Sequence, residues 1–480
     1  MSLPNPEDKE QKTEDGGQKT EDQGQTTEPI RPPSSVRRLP PSVLWLGAAA
    51  CLCLVGAMVL LRGCEGRPIL RPTPQMGIES RFWVRVLLLN DVTECTLDIP
   101  SAFRIAPAGQ SLDAPTGGTA KEPLGSPAKI TLVDGRLMLG ATPLGSNDMV
   151  LSPERPHIFG LDDQKYRGRL RLIVNRDGRS FDAVNLVPLE PYLAGVVGKE
   201  MPHNWEPQAL MAQAIAARTY CLFIKNRFGT NRSYDVTRTQ SSQVYGGIGG
   251  ESTQVWDAVN STCGQILVAP ELLPANAEQS TESVPSSVLF HPSPGSTGLF
   301  PAYFSSTCGG HTSSGEEVFG DSYGPLQGVE CPYCKDVASL EAFYWPMASF
   351  DRETVTKQLL DRYPKLAALG EITDVAVIEE SCYGSFSRLT KIRLTGSTGK
   401  TDTLRAENLR LAIDPSGRKI KSAICRIVPW GNGWAFLSGR GWGHGVGMCQ
   451  CGAKGMARQG RDAQSILQYY YAGAEIVNVY

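Results

Sequence analysis

The sequence predicts a mixed α+β fold with a β-rich N-terminal part, preceded by a disordered tail and one transmembrane helix. Three observations predict it. The first forty residues hold almost no large apolar side chains, Ser42 to Leu61 carries no charge, and further on short β-branched runs give way to helical periodicity at Glu206.

Residues 1–40 are rich in Glu, Asp, Lys, Gln, Thr and Pro, so ordering them costs chain entropy that apolar burial cannot offset. The stretch "SVLWLGAAACLCLVGAMVLL" (42–61) then supplies about the twenty apolar residues a helix needs to cross a hydrocarbon core. It is longer than a signal-peptide core and no small-x-small site precedes a clear junction, so it reads as an uncleaved anchor. Arg31, Arg37 and Arg38 precede it and Arg62, Arg67 and Arg71 follow it, which leaves the positive-inside rule nearly silent. The short leading tail and the roughly 400 residues beyond the span favour a single-pass cell-membrane protein with the bulk of the chain extracytoplasmic. Across 480 residues the formal charge is only −2 and 41% of side chains are hydrophobic. Such a chain can bury one or two sizeable cores, and without a basic excess nucleic acid is not an expected partner.

A Pro- and Arg-containing linker (62–77) leads into "RFWVRVLLL", "KITLVDG" and "RLRLIVNRDG". These are strand-like runs ended by Gly, Asp-Gly or Asn, and they make residues 78–190 a β-rich module. Residues 191–480 form the remaining core. There "EPQALMAQAIAARTYCLFIKNRF" reads as the best helix, with Pro207 in its first turn and Leu210, Ala214, Ala217, Cys221 and Ile224 on one face. A second helix is "RDAQSILQYYYAG", capped by Asp462 and ended by Gly473. "FDRETVTKQLLDRYPKLAAL" is helical up to its proline, and "ITDVAVIEE" and "LTKIRLTG" are strands. Residues 270–299 are Pro-, Ser- and Glu-rich without periodicity and read as a surface insertion.

Thirteen cysteines are many for a chain facing an oxidising compartment. Cys51 and Cys53 lie in the span and Cys64 beside it; the count leaves the other ten paired, metal-bound or buried. "CGGH" (Cys308 to His311) and "CPYC" (Cys331 to Cys334) form two ligand pairs, each with a two-residue gap, about twenty residues apart. This is the spacing of a closed tetrahedral zinc site, so Cys308, His311, Cys331 and Cys334 are the expected ligands of a structural zinc. A disulfide through Cys308 or between Cys331 and Cys334 is the alternative. In "GRGWGHGVGMCQCGAKGMARQG" (439–460), Cys449 and Cys451 point to opposite faces if the chain is extended, which suits chelation poorly.

Glu200 follows an apolar, glycine-bearing run and precedes Met-Pro. Apolar surroundings raise a carboxyl pKa and suit a general acid, although a lone glutamate of this kind is more often a capping or solvated residue.

The blocks "VNLVPLEPYLAGVVGKEMPHNWEPQALMAQAIAARTY", "QSSQVYGG", "AYFSSTCGGHT" and "GRGWGHGVGMCQCGAKGMARQGRDAQSILQYYYAG" occur in this order. Together they resemble the SpoIID/LytB family, named for the stage II sporulation protein D and the amidase enhancer, over roughly residues 80–480. The resemblance implies a SpoIID-like domain and a lytic transglycosylase acting on peptidoglycan glycan strands, preferably peptide-free ones. It implies Glu200 as the catalytic acid/base and Arg218 as an active-site arginine. A groove lined by Gln213, Gln243, Tyr245, His444, Gln450, Tyr469 and Tyr470 would bind the sugar, though Gln243 and Tyr245 read equally well as residues that hold a loop, and the His444 stretch has the alternative of a turn with a core histidine. The other branch of the family implies a different role, a non-catalytic module that docks on peptidoglycan and stimulates a cell-wall amidase.

Overall fold

Alternation of apolar and polar side chains builds the N-terminal part. In the strand Trp83–Val92, Val84, Val86 and Leu88 are buried on one face, the period-2 pattern of a sheet with one side on a core. The strand pairs antiparallel with Phe181–Pro188. The computed structural model describes residues 79–110, 112, 117–229, 232–273 and 297–480. The expected tail (1–40), transmembrane helix (42–61) and linker (62–77), and most of the 270–299 insertion, lie outside the described residues. Ala269 N–H donates to the Gly298 carbonyl and Gly298 N–H to that of Leu272, so the chain returns after the insertion to where it left. Among the described residues no helix is long and apolar enough to cross a membrane.

Two sheets make the β-rich part. One has seven strands, in the order Val236–Thr237, Trp83–Val92, Phe181–Pro188, Arg169–Val174, Asp148–Pro153, Phe103–Pro107 and Thr119–Lys121. The other has six strands drawn from residues 94–167.

The strand Phe181–Pro188 runs directly into helix α1 (Leu189–Glu200), which is buried from Leu189 to Val197 and stops before Met201-Pro202. Proline disfavours helical geometry in the residue before it, which sets that stop. Helix α2 (Pro207–Phe228) has proline in its first turn, as expected, and buries Gln213 and Arg218 along with its apolar face. Helix α3 (Thr253–Ser261) begins with the Ser252 side chain accepting from Val255 N–H.

A second hydrophobic core lies in residues 345–436. It contains α4 (Arg352–Arg362), α5 (Ala406–Ile413) and the antiparallel strands Ile372–Tyr383 and Phe386–Gly396. The chain then rejoins the first core through α6 (Gln450–Arg458) and α7 (Ala463–Tyr470), whose Asp462 cap accepts from Ser465 N–H at 2.7 Å. Helix α6 was not read from the sequence. Its glycines argue against a helix by propensity, yet Gly452 and Gly455 leave the room that the Tyr470 ring and the Tyr333 backbone fill.

Candidate functional site

Glu200 is the last residue of α1, half-buried, and its Oε1 accepts from Val244 N–H at 2.8 Å. Burial pushes its carboxyl above the ordinary value, while the Val244 N–H and a hydrogen bond with the Gln450 side chain pull it back in part. The negative end of the α1 dipole adds to the upward push. No neighbouring carboxylate contributes to the shift. Glu200 is therefore a carboxyl biased toward its protonated form, with its own pair of hydrogen-bonding partners.

Three elements converge on that carboxyl. Helix α1 reaches the loop at 244 through a seam of close backbone contacts. A Cβ on Gly198 would run into the Gly250 carbonyl, one on Gly250 into that of Gly195, and Gly246 N–H donates to the Gly195 carbonyl at 3.1 Å. Gln450, first residue of α6, lies against α2, where its Nε2 donates to Gln213 Oε1 at 3.3 Å. Gln213 is fully buried and its own Nε2 has no partner. One turn along α6 from Gln450, the Lys454 ammonium stands 4.6 Å from the centroid of the Trp205 ring. Trp205 and Lys454 went unnoticed in the sequence because their approach depends on α6 being a helix.

Several expected site residues do other work. Arg218 is fully buried and forms a two-pronged pair with Glu190, with Nε–Oε1 at 2.9 Å and Nη2–Oε2 at 2.7 Å. Its third nitrogen donates to the Gln265 carbonyl, and Tyr480 also donates to Glu190. This corrects the expectation of a substrate-binding arginine, because a guanidinium with no exposed surface and all three nitrogens bonded has nothing left to offer a sugar. Burial alone would lower its pKa; the Glu190 charge reverses that and raises it.

Gln243 accepts from Tyr192 and donates to the Ala217 carbonyl, both inside the core. Tyr245 donates to Asn185 at 2.9 Å. Of the two readings offered by the sequence, these residues hold the loop that carries Val244. His444 is likewise a correction: Nε2 donates to the Phe304 carbonyl at 2.9 Å and Nδ1 accepts from Val446 N–H at 3.0 Å. Burial lowers it to about 4, so it is a neutral ring that pins two backbone segments, with neither nitrogen free for substrate. Tyr469 is half-exposed and donates to the Glu330 carbonyl. Tyr470 is buried with its hydroxyl on Cys331 Sγ at 3.1 Å, which removes it from any sugar-stacking role.

The expected metal ligands also change. Cys308, Cys331 and Cys334 do come together, but the fourth member is Cys449, with the four sulfurs all within 4.8 Å of one another. His311 is not among them: Nδ1 bonds the Thr312 carbonyl at 2.6 Å and the ring stacks on Tyr383 with centroids 4.0 Å apart. Cys449 escaped the spacing argument because the helix that begins directly after it sends Cys451 elsewhere. Its thiol caps α6 and faces the cluster, while Cys451 turns away to accept from Thr307.

A family model described as stage II sporulation protein matches residues 177–268, the stretch that carries α1, α2, α3 and the Val244 loop. An uncharacterised protein of Brachyspira hyodysenteriae is 31% identical over 349 residues, 73% of this chain and 82% of that protein. The stage II sporulation protein D of Bacillus subtilis is 27% identical over 61% of this chain and 76% of its own length. The amidase enhancer of Bacillus subtilis is 24% identical over 74% of this chain, which spans half the length of that protein. On these matches, and on the blocks that place Glu200 at the end of α1, the chain belongs to the SpoIID/LytB family.

Proposed function

We propose that the chain acts on the bacterial cell wall as a membrane-anchored lytic transglycosylase, cleaving peptidoglycan glycan strands to 1,6-anhydro-muramic ends with Glu200 as its acid/base. The observation that carries this reading is the raised Glu200 carboxyl, whose shift owes nothing to a neighbouring carboxylate. A hydrolytic glycosidase ordinarily needs two, one as acid and one as base or nucleophile. An intramolecular displacement needs one. Protonated Glu200 gives its proton to the leaving glycosidic oxygen, the muramic 6-hydroxyl attacks the anomeric carbon, and the carboxylate takes up the hydroxyl proton, so Glu200 ends as it began. Val244 N–H and Gln450 steady the anion that exists between the two transfers. Trp205, half-exposed beside Lys454, offers an apolar face to a sugar ring. The charge-free run 42–61 supports an anchor that keeps the domain at the membrane, with the bulk of the chain outside.

A second reading follows from the match to the amidase enhancer over 74% of this chain: a module that docks on peptidoglycan and stimulates an amidase without cleaving glycan. Incubation with peptide-free glycan strands separates the two. Anhydro-muramic ends seen by mass spectrometry with wild type and lost with Glu200→Gln support the enzyme. Reducing ends would mean hydrolysis and a second carboxylate. Strand binding without any product would leave the stimulating module.

A further inference from the structure

Four thiols from three separate segments meet in the interior behind α6. Cys308 precedes the Gly309-Gly310 turn, Cys331 and Cys334 flank Pro332-Tyr333, and Cys449 caps α6. All four are buried, and Cys308 Sγ stands 3.7 Å from Cys334 Sγ. A disulfide needs about 2.05 Å. Thiolates around a tetrahedral metal, each about 2.3 Å from it, lie about 3.8 Å apart. We propose that Cys308, Cys331, Cys334 and Cys449 bind one zinc ion as four thiolates, and that the ion ties the 308–311 turn and the 331–334 loop to the start of α6.

Two independent features fit a charged cluster better than four neutral thiols. Hydrogen-bond donors are aimed at the sulfurs: Cys308 N–H and Gly452 N–H at Cys449 Sγ (3.2 and 3.3 Å), and Gly310 N–H at Cys308 Sγ (3.5 Å). The Tyr470 hydroxyl lies 3.1 Å from Cys331 Sγ. A thiol is a weak acceptor, whereas donors of this kind orient and stabilise metal-bound thiolates, and the N-terminus of α6 adds a partial positive charge at Cys449. The second feature is Arg388. It is buried, donates to the carbonyls of Cys308 (3.1 Å) and His444 (3.2 Å), leaves Nε without a partner, and forms no ion pair with a carboxylate among the described residues. The nearest carboxylate influence, Glu407, is already paired with Arg410, and a buried guanidinium without a direct ion pair is costly. One zinc ion displacing four thiol protons leaves the cluster with net charge −2, next to the carbonyl that Arg388 holds. Gly452 completes the fit, since a Cβ there would press on the Tyr470 hydroxyl and on Cys331 Sγ.

The assignment stands apart from the role of Glu200, and its test does not read activity. The full-length chain, purified in detergent without added metal, should carry about one zinc per chain by elemental mass spectrometry. X-ray absorption should show four sulfurs at about 2.3 Å, a readout that needs no variant. Cys331→Ser and Cys449→Ser should fall to under about a tenth of the wild-type zinc, while His311→Ala and Cys451→Ser should keep it. A nitrogen or oxygen in the metal shell, full zinc in Cys449→Ser, or peptide mapping that finds a disulfide among the four cysteines in the native protein would each overturn the proposal.

Discussion

Glu200 and Arg218 lie on neighbouring helices of the same matched region, and the physics of their surroundings gives them opposite roles. Glu200 is partly withdrawn from water without a compensating cation, so folding favours its protonated form. For a carboxyl raised in the folded state, that stability is fully present below its ordinary value and is lost as pH rises through the raised one. Glu200→Gln keeps an acceptor for Val244 N–H and removes the ionisation. Its thermal midpoint should match wild type at about pH 4 and exceed it at about pH 8; equal midpoints at the higher pH would mean that the carboxyl is solvated. Arg218 is the reverse case, a charge whose partner is in place. Arg218→Met leaves Glu190 buried and unpaired, so denaturant unfolding should show a loss of about 3–5 kcal/mol. Adding Glu190→Gln should recover much of that loss. If the double variant stays as unstable as the single one, the pair is not what the arginine contributes. The sequence marked both residues through the same blocks and had no means of telling them apart, because what separates them is Glu190, 28 residues before Arg218, and Gln265, 47 after it.

At the scale of elements, the strands and the long helices were legible because their periodicity survives in the sequence. Pro207 and Asp462 start helices where capping rules put them, and the strands at 372–383 and 386–396 follow their β-branched runs. Helix α6 was not legible. Its glycines serve close approach to Tyr470 and Tyr333, a tertiary demand that overrides propensity, and with the helix went the positions of Gln450, Lys454 and the Cys449 cap. The same trade of propensity for proximity operates in α1. Gly195 and Gly198 cost helix stability, but without them α1 could not approach Gly250 closely enough for the Glu200 carboxyl to meet Val244 N–H. Gly198→Ala would set its methyl against the Gly250 carbonyl, which cannot rotate away. The expected outcome is a stability loss of about 1–3 kcal/mol, together with a fall in kcat larger than the change in strand binding, since the carboxyl is displaced while the groove remains. Unchanged kcat in Gly198→Ala would show that the seam does not position Glu200.

Among the described residues, two large hydrophobic cores can be told apart. The first gathers the N-terminal sheets, α1 to α3, α6 and α7; the second occupies 345–436. The sequence allowed one or two sizeable cores without locating a boundary between them, and the second begins where Trp345 packs with α4 and the strands after it. Cores of this kind open as separate cooperative units unless something couples them. Arg388 is such a coupling: it belongs to the strand Phe386–Gly396 of the second core and bonds backbone carbonyls of Cys308 and His444 in the first. Arg388→Met keeps the unbranched apolar stem of the side chain, forfeits two charge-assisted hydrogen bonds and relieves a buried charge. These effects partly cancel in the total but not in their location. Native-state hydrogen exchange should therefore speed up by about tenfold for amides of 372–396, a change on the order of 1.4 kcal/mol, while amides of 83–92 and 181–188 keep their rates. A uniform change across both sets would show that the two cores already unfold as one and that Arg388 couples nothing. Confinement to the second core would mean that the face carrying Glu200 is braced from behind by a separately folding unit, held in place through a buried cation on the Cys308 and His444 carbonyls.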